Sequence, residues 1–283
     1  MFAKNLKRMV KKIIQIADLH IPNDVNKRPY SDMVKQLIVE VLDEIKECES
    51  KDEVRVVIVG DIFCQKIRVT NEAMTVFHEL LNFLNQMCKT IVIAGNHDML
   101  ENNTDRTDSI TPTFEIQGAY ENIIFLDKYL DYKSGYLIDD NIVWVLYSMF
   151  DKFAKPNMTK VKKTENNRII GLYHGEVVGA VTDIGRMSES GIDPKNFKKC
   201  DCVMAGHIHK FQELKKGGVP IVYSSSVFQQ DAGENISGHG FVVWDVETMT
   251  YRHREVENKY RILKFEISSY EDVTEDDEIL INP

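Results

Sequence analysis

Cysteine is scarce in this chain of 283 residues, and the five present are scattered. Cys200 and Cys202 are separated by one residue, which is not a zinc-knuckle spacing. The thiols therefore read as reduced and mostly buried, and a disulfide framework or a structural thiolate–zinc site is excluded. Long apolar runs are missing too. No stretch is long enough to span a bilayer. The basic segment 1–12 is followed only by Ile13-Ile14-Gln15-Ile16-Ala17, too short for a signal core and leading straight into Asp18. The expected location is therefore the cytoplasm (nucleoid or host cytoplasm in a bacterial or viral setting), with no membrane association. There is no internal repeat and no low-complexity tract, so neither a repeat array nor a biased linker organises the chain. Positive charge is also in deficit, 35 Lys and Arg against 44 Asp and Glu for a net charge of −9. That argues against indiscriminate binding of polyanions. It does not exclude a nucleic-acid substrate, because local basic clusters decide that question.

What is present is an ordinary globular composition, 43% hydrophobic and 28% charged, in a chain long enough to bury a substantial core. The first half alternates strand-like and helix-like segments. Residues 13–17 are a short β-branched run. Residues 31–48 keep helical period through Val34, Leu37, Ile38, Val41, Leu42, Ile45 and Cys48, with Ser31 or Asp32 available as a cap. Residues 54–59 are almost continuously apolar, as a strand covered on both faces should be. Residues 70–88 predict a second helix with Ala73, Phe77, Leu80, Leu81, Leu84 and Cys88 on its main face, and 90–94 a third buried strand. This helix also carries Met74, Val76 and Phe83 off that face, which asks either for a deeper core or for a helix-mediated dimer. Beyond residue 123 the segments become short strands: 123–126, 142–147, 169–173, 202–205, 221–224 and 241–246. Residues 151–167 are polar, Lys-rich and interrupted by Pro156, and read as a loop. From 251 the tone changes. Residues 261–267 could form a strand and 268–278 are acidic. The expectation is an α/β chain of two packed sheets.

Five short motifs punctuate this alternation: Asp18-Leu19-His20, Gly60-Asp61, Gly95-Asn96-His97-Asp98, His174-Gly175 and Gly206-His207-Ile208-His209. Four follow an apolar run that reads as a buried strand, and strand ends are where an open α/β sheet places its ligands. Alone, each motif is weak; jointly they predict a shared metal site. His78, His239 and His253 lack this context. The donors are imidazole, carboxylate and one carboxamide, with no thiolate, which suits borderline-to-hard divalent ions. Seven donors are too many for one ion that must keep an open position. Two ions sharing one carboxylate would use them all, and such a pair ~3.5–4 Å apart can stabilise attacking and leaving oxygens of a phosphoryl displacement and activate water near neutrality. The remaining imidazole is then free to act as general acid.

In order and spacing these motifs resemble the calcineurin-like metallophosphoesterase superfamily, matched from Asp18 to His209. The run Val57-Ile58-Val59-Gly60-Asp61-Ile62-Phe63, its spacing to Ile93-Ala94-Gly95-Asn96-His97-Asp98, and the stretch from Gly206-His207-Ile208-His209 through Tyr223-Ser224-Ser225-Ser226 to Gly240-Phe241-Val242-Val243-Trp244 are similar to SbcD/Mre-type double-strand-break repair nucleases, including phage recombination exonuclease subunits. The resemblance implies a two-sheet α/β/β/α sandwich over 1–250, with 251–283 as a short C-terminal extension, the start of a reduced or truncated capping region. It implies that Asp18, His20 and His209 hold one ion, that Asn96, His174 and His207 hold the other, and that Asp61 bridges. It makes His97 the group acting on the leaving oxygen or transition-state phosphate, with Asp98 orienting it. Two divalent ions are implied, Mn²⁺ foremost, with Fe²⁺, Zn²⁺ or Mg²⁺ as alternatives. The implied partners are DNA, a second copy joined through helices 31–48 and 70–88, and an SbcC/Rad-type ATPase subunit. Three departures stand out: Cys64 where the family often has Asp, Ser224-Ser225 where it often has Gly-Ser, and the short tail.

The basic clusters are Lys4, Lys7, Arg8, Lys11 and Lys12; Lys152, Lys155, Lys160, Lys162, Lys163 and Arg168; and Lys195, Lys198, Lys199, Lys210, Lys215 and Lys216. From the last two groups Lys162, Lys163 and Lys210 are the expected substrate contacts. The expected activity is metal-dependent DNA exo- or endonucleolytic hydrolysis at ends or nicks in repair or recombination. The alternatives are a phosphoesterase for a small substrate, such as a cyclic nucleotide or phosphomonoester, and an inactive DNA-end-binding scaffold. A protein-serine phosphatase is disfavoured, since residues 62–67 offer no arginine after the G-D motif.

Overall fold

The computed structural model describes residues 9–25, 29–103, 105–115 and 120–263. Its strands in chain order are β1 (Lys12–Ile16), β2 (Val54–Val59), β3 (Lys89–Ile93), β4 (Ile123–Phe125), β5 (Gly135–Asp139), β6 (Ile142–Tyr147), β7 (Arg168–His174), β8 (Cys202–Gly206), β9 (Gln212–Leu214), β10 (Ile221–Tyr223), β11 (Gly240–Asp245) and β12 (Thr250–Glu255). The helices are α1 (Tyr30–Lys46), α2 (Asn71–Met87), α3 (Thr111–Phe114) and α4 (Leu126–Tyr129). One sheet runs β12-β11-β1-β2-β3-β4 and the other β5-β6-β7-β8-β10-β9. β1 to β4 are parallel neighbours, as are β6, β7, β8 and β10, while the remaining pairs are antiparallel.

The two-residue period of a strand sorts the side chains into layers. In β2, Val54, Val56 and Ile58 join the core under α1 and α2, while Val57 and Val59 face the second sheet. In β6, Ile142, Trp144 and Leu146 face the first sheet, while Val143, Val145 and Tyr147 face outward. That outer face is covered by loop residues such as Met158, Val177 and Ala180 and by the short 3₁₀ turn Pro194–Phe197. The result is the expected α/β sandwich of two mixed sheets flanked by helices. Among the described residues no helix is long and apolar enough to cross a membrane.

Polar side chains also cross the layer between the sheets. Gln15 on β1 donates through Nε2 to the carbonyls of Ala205 (3.1 Å) and Val222 (2.9 Å), and its Oε1 accepts from Trp244 Nε1 (2.9 Å). Each of its donors and acceptors that faces the core is matched, as burial requires. At the other end of the strands, Arg55 pairs with Asp139 and Asp140, and Asp139 also takes Lys89 and Trp144 Nε1.

Several sequence expectations shift in detail. α1 starts at Tyr30 with Pro29 before it and no side-chain cap, so neither Ser31 nor Asp32 caps it. α2 is capped by Thr70, whose Oγ1 accepts from Ala73 N (3.3 Å). Val76 is buried, and Met74 and Phe83 pack partly buried against the same core, so the off-face residues of α2 extend the intramolecular core. β5, β9 and β12 lie outside the strand-like runs of the sequence; β9 has only three residues and β12, Thr-Tyr-Arg-His-Arg-Glu, is polar. The expected domain boundary at 250/251 falls inside β12, which pairs with β11 along its whole length. The sandwich therefore runs at least to Glu255. Residues 261–263 form no strand. The rest of that expected strand and the acidic stretch 268–278 lie outside the described residues, as do Lys4, Lys7 and Arg8.

Candidate metal centre

Parallel strands aim their carboxyl ends one way, and both sheets aim theirs at the same edge. Asp18 and His20 follow β1, Asp61 follows β2, Asn96 and His97 follow β3, His174 ends β7, and His207 and His209 follow β8. The turns are tight enough to force unusual backbone. Asp18, His20 and Asp61 have φ of 53°, 46° and 51°, and His207 97°. Non-glycine residues in this region concentrate at functional sites. Gly95 allows the closest approach: a Cβ there would lie 2.2 Å from Asp61 Oδ1 and 2.3 Å from Asp61 N. At Gly60, with φ of 77°, a Cβ would lie 2.4 Å from His174 Nδ1.

The side chains converge in two adjoining groups. Asp18, His20 and His209 form one, and Asp61, His174 and His207 the other, with ligand atoms in each within 4.8 Å of one another. His20, Asp61 and His97 satisfy the same distance. Asn96 joins the second group, its Oδ1 2.7 Å from His207 Nδ1 and 3.2 Å from His174 Nε2. Asp61 stands between them. Its Oδ2 is 3.5 Å from His20 Nε2 and 3.3 Å from His174 Nε2, while its Oδ1 accepts the backbone N–H of His97 (2.7 Å).

The outer nitrogens are also assigned. His174 Nδ1 donates to the Val59 carbonyl (2.7 Å) and His97 Nδ1 to the Cys64 carbonyl (2.8 Å). His209 Nδ1 donates to Glu234 Oε1 (2.5 Å). With its proton on Nδ1, His209 presents the Nε2 lone pair inward, 3.0 Å from His20 Nε2. Nitrogens and carboxylate oxygens facing one another in this way, with no thiolate, fit a divalent ion in each group.

Charge states follow from crowding. Burial pushes Asp18 up to about 6 against the pull of His174 and His209. Burial holds His20 down at about 3 and His207, next to His174, at about 4. Burial also opposes charge on Asp61, but the imidazoles of His174, His20 and His97 outweigh it and hold this carboxyl well below its ordinary range. His174 rises to about 10 and His209 to about 9, because Asp61 and Asp18 around the first, and Glu234 and Asp18 around the second, overcome the burial penalty. Divalent ions would displace these protons, so uptake of metal is coupled to proton release.

The structure brings together all seven expected ligands and His97. It reassigns Asp98. This buried carboxylate accepts from the backbone N–H groups of Ile62 (3.0 Å), Phe63 (3.2 Å) and Gly95 (2.8 Å), so it braces the turn that carries Asp61, while the Cys64 carbonyl orients His97. Of the three expected substrate lysines only Lys210, exposed and next to His209, lies at the centre. Lys163 pairs with Asp201 and the Asn167 carbonyl, at the amino ends of β7 and β8. With Lys162 it is therefore one strand length, about 20 Å, from His174. Lysines in a basic cluster carry no periodicity, so sequence alone could not tell the two ends of a strand apart.

Sequence reasoning missed Glu234, which sits in the turn-rich loop between β10 and β11 and follows no apolar run. Its nearest signal was the turn sequence Asp231-Ala232-Gly233. A cleft of about 660 Å³ opens beside His207 and His209, walled by Glu176, Asp183, Glu189, Asp231 and Glu234 with Arg186 among them.

Comparison with known proteins sets the centre in context. Uncharacterized protein R555 of Acanthamoeba polyphaga mimivirus is 32% identical over 263 residues, covering 90% of this chain, and the chain spans 19% of that relative's length. A dimetal phosphatase from Danio rerio superposes with a TM-score of 0.46 at 13% identity, covering 84% of this chain and 93% of that one. A protein described as a novel archaeal phosphodiesterase does so with a TM-score of 0.42 at 14% identity, covering 85% and 97%. The profile of the calcineurin-like phosphoesterases matches residues 11–211, a span that contains every one of the five motifs. The residues that build the two groups are thus the residues of that profile's span, and the chain belongs to the calcineurin-like phosphoesterase family.

Proposed function

We propose that this metallophosphoesterase is a two-metal DNA nuclease, hydrolysing phosphodiester bonds at ends or nicks in repair or recombination. Hydrolysis of phosphate esters follows from the family; DNA as substrate is the finer step. The observation that carries the reading is Asp61 Oδ2, set between two complete groups of donors with His97 beside it. Asp18, His20 and His209 would hold one ion and Asn96, His174 and His207 the other, with Mn²⁺ the ion of first choice. When bound, the pair neutralises phosphate charge and activates water. His97 is anchored twice, through its ring Nδ1 to Cys64 and its backbone N–H to Asp61. In the protonated form its free Nε2–H can therefore be given to the leaving oxygen without the ring having to reorient.

DNA is supported by the stretches that are similar to break-repair nucleases, which abut the centre: Ser226 N donates to the His209 carbonyl (3.2 Å) and Gly240 N to the Ser226 carbonyl (3.1 Å). A homodimer through α1 and α2 and an ATPase partner belong to the same reading. A second reading, a small phosphate ester, is favoured by the size of the cleft beside His207 and His209, which suits one small ligand.

The test is digestion of end-labelled linear and nicked DNA with Mn²⁺, Mg²⁺ or Zn²⁺, beside cyclic nucleotides. His97→Ala should retain metal and lose about 10²–10⁴-fold in rate. Undiminished activity in that variant would remove His97 from the mechanism. Turnover of cyclic nucleotides with none on DNA would give the second reading precedence.

A further inference from the structure

The imidazoles of the centre are braced unequally. His174 and His97 each give the outer N–H to a backbone carbonyl, a neutral acceptor. His209 gives its outer N–H to a carboxylate, Glu234, 2.5 Å away and almost fully buried. Glu234 is itself held. Its Oε2 accepts the backbone N–H of Gln230 (2.8 Å), and the Gln229 side chain donates to the Glu234 carbonyl (3.3 Å). His239, whose Nδ1 meets Ser226 Oγ (2.8 Å) and whose Nε2 donates to the Asn235 carbonyl (2.6 Å), stands 3.9 Å from Oε2. A carboxylate fixed in this way cannot swing out to solvent.

We infer that Glu234 is the positioning residue of one half of the centre: through His209 it sets the affinity of the Asp18–His20–His209 group for its ion, and leaves the Asn96–His174–His207 group alone. The inference rests on the two-metal reading above. Two effects act together. A carboxylate on Nδ1 holds that proton outward, so the proton that an ion displaces is the one on Nε2, and it raises the basicity of that nitrogen. Asp61 is common to both halves, and in the other half His174 is oriented by the Val59 carbonyl instead. Glu234 touches no reacting atom, so its effect belongs to metal occupancy before it belongs to rate.

The experiment is a calorimetric titration of the metal-free protein with Mn²⁺, with electron paramagnetic resonance to distinguish a coupled ion pair from isolated ions. The proteins are wild type, Glu234→Ala, Glu234→Gln, His209→Ala and the double variant His209→Ala with Glu234→Ala, with thermal melts for each. Wild type should take two ions per chain and give the coupled signal. Glu234→Ala should weaken one binding step by about 10–100-fold, leave the other step in place and lose the coupled signal at limiting Mn²⁺. Glu234→Gln, whose amide oxygen can still accept from Nδ1, should recover part of the loss. In the His209→Ala background, removal of Glu234 should weaken binding no further, a readout that holds even if Glu234→Ala lowers the melting temperature. Two undisturbed steps in Glu234→Ala, equal weakening of both, or additive losses in the double variant would overturn the inference. Wild type that takes up no ion would instead overturn the two-metal reading beneath it, and nuclease assays play no part in either outcome.

Discussion

At the scale of single residues, close approach matters more than any one bond. Gly95 lies where the turn after β3 presses on the Asp61 carboxylate, and a methyl group there would overlap atoms that have no slack. Gly95→Ala should cost about 1–3 kcal/mol in stability, the range for forcing extra volume into a packed site, and should reduce bound Mn²⁺ because the carboxylate between the two groups must move. Thermal melts and metal analysis of the same sample check both; unaltered metal content would mean that the approach is looser than the backbone indicates. The ligands were legible at this scale because most belong to motifs that follow an apolar run, and several stand beside a glycine or another polar residue. Asp98 was legible as part of the site but not in its role, since adjacency to His97 suggested an orienting contact that the turn geometry directs elsewhere. Glu234 was invisible, because a loop has no period from which to read direction.

Among the elements, the helices and buried strands follow the pattern of apolar residues, and the edge strands do not. β12 alternates charged and polar residues, as an edge strand facing solvent can, so nothing in its hydropathy marks it as part of a sheet. Its place is fixed by charge. Glu44, buried on α1, accepts both oxygens' worth of hydrogen bonds from Arg252 (2.6 Å to each), is also paired with Arg254, and meets Lys12 Nζ at 3.3 Å. Burial alone would raise the pKa of this carboxyl, but the two arginines and the lysine outweigh it and lower it. A depressed carboxyl contributes stability that is in place above the unfolded value, about 4.3, and disappears as pH falls through the folded one. Glu44→Gln should therefore destabilise by about 1–3 kcal/mol at pH 7. The gap in melting temperature between wild type and variant should narrow as pH is lowered through the acid range. A gap independent of pH would show that Glu44 acts through packing alone.

For the molecule as a whole, α/β order in the first half and short strands in the second were enough to foresee two packed sheets, and the direction of the parallel strands then decides which charges lie near the centre. Lys210 follows β8 at the same edge as the ligands, whereas Lys163 sits at the amino end of β7. If DNA crosses the centre, Lys210→Ala should weaken DNA binding and lower the slope of log affinity against log salt by about one, as loss of one phosphate contact does. Lys163→Ala should leave both unchanged, and its exposed pair with Asp201 should contribute little to stability. Fluorescence anisotropy across a salt series, with catalysis blocked by the His97→Ala substitution, separates the two. Equal effects of the two lysines would mean that the strand-end argument fails for the substrate.

Gln15 has a consequence for when the centre comes into being. Its amide spans from β1 to carbonyls 190 and 207 residues away, and it sits just ahead of Asp18, while Ala205, one of its acceptors, sits just ahead of His207. The relative slide of the two sheets, and with it the spacing between the two groups of donors, is thus gauged in part by an amide that engages only after distant parts of the chain have met. Contacts of such long range form late in folding. In a zinc finger the ion nucleates the fold; here the candidate ligands come from both sheets, so an ion held by all of them would mark that assembly is finished.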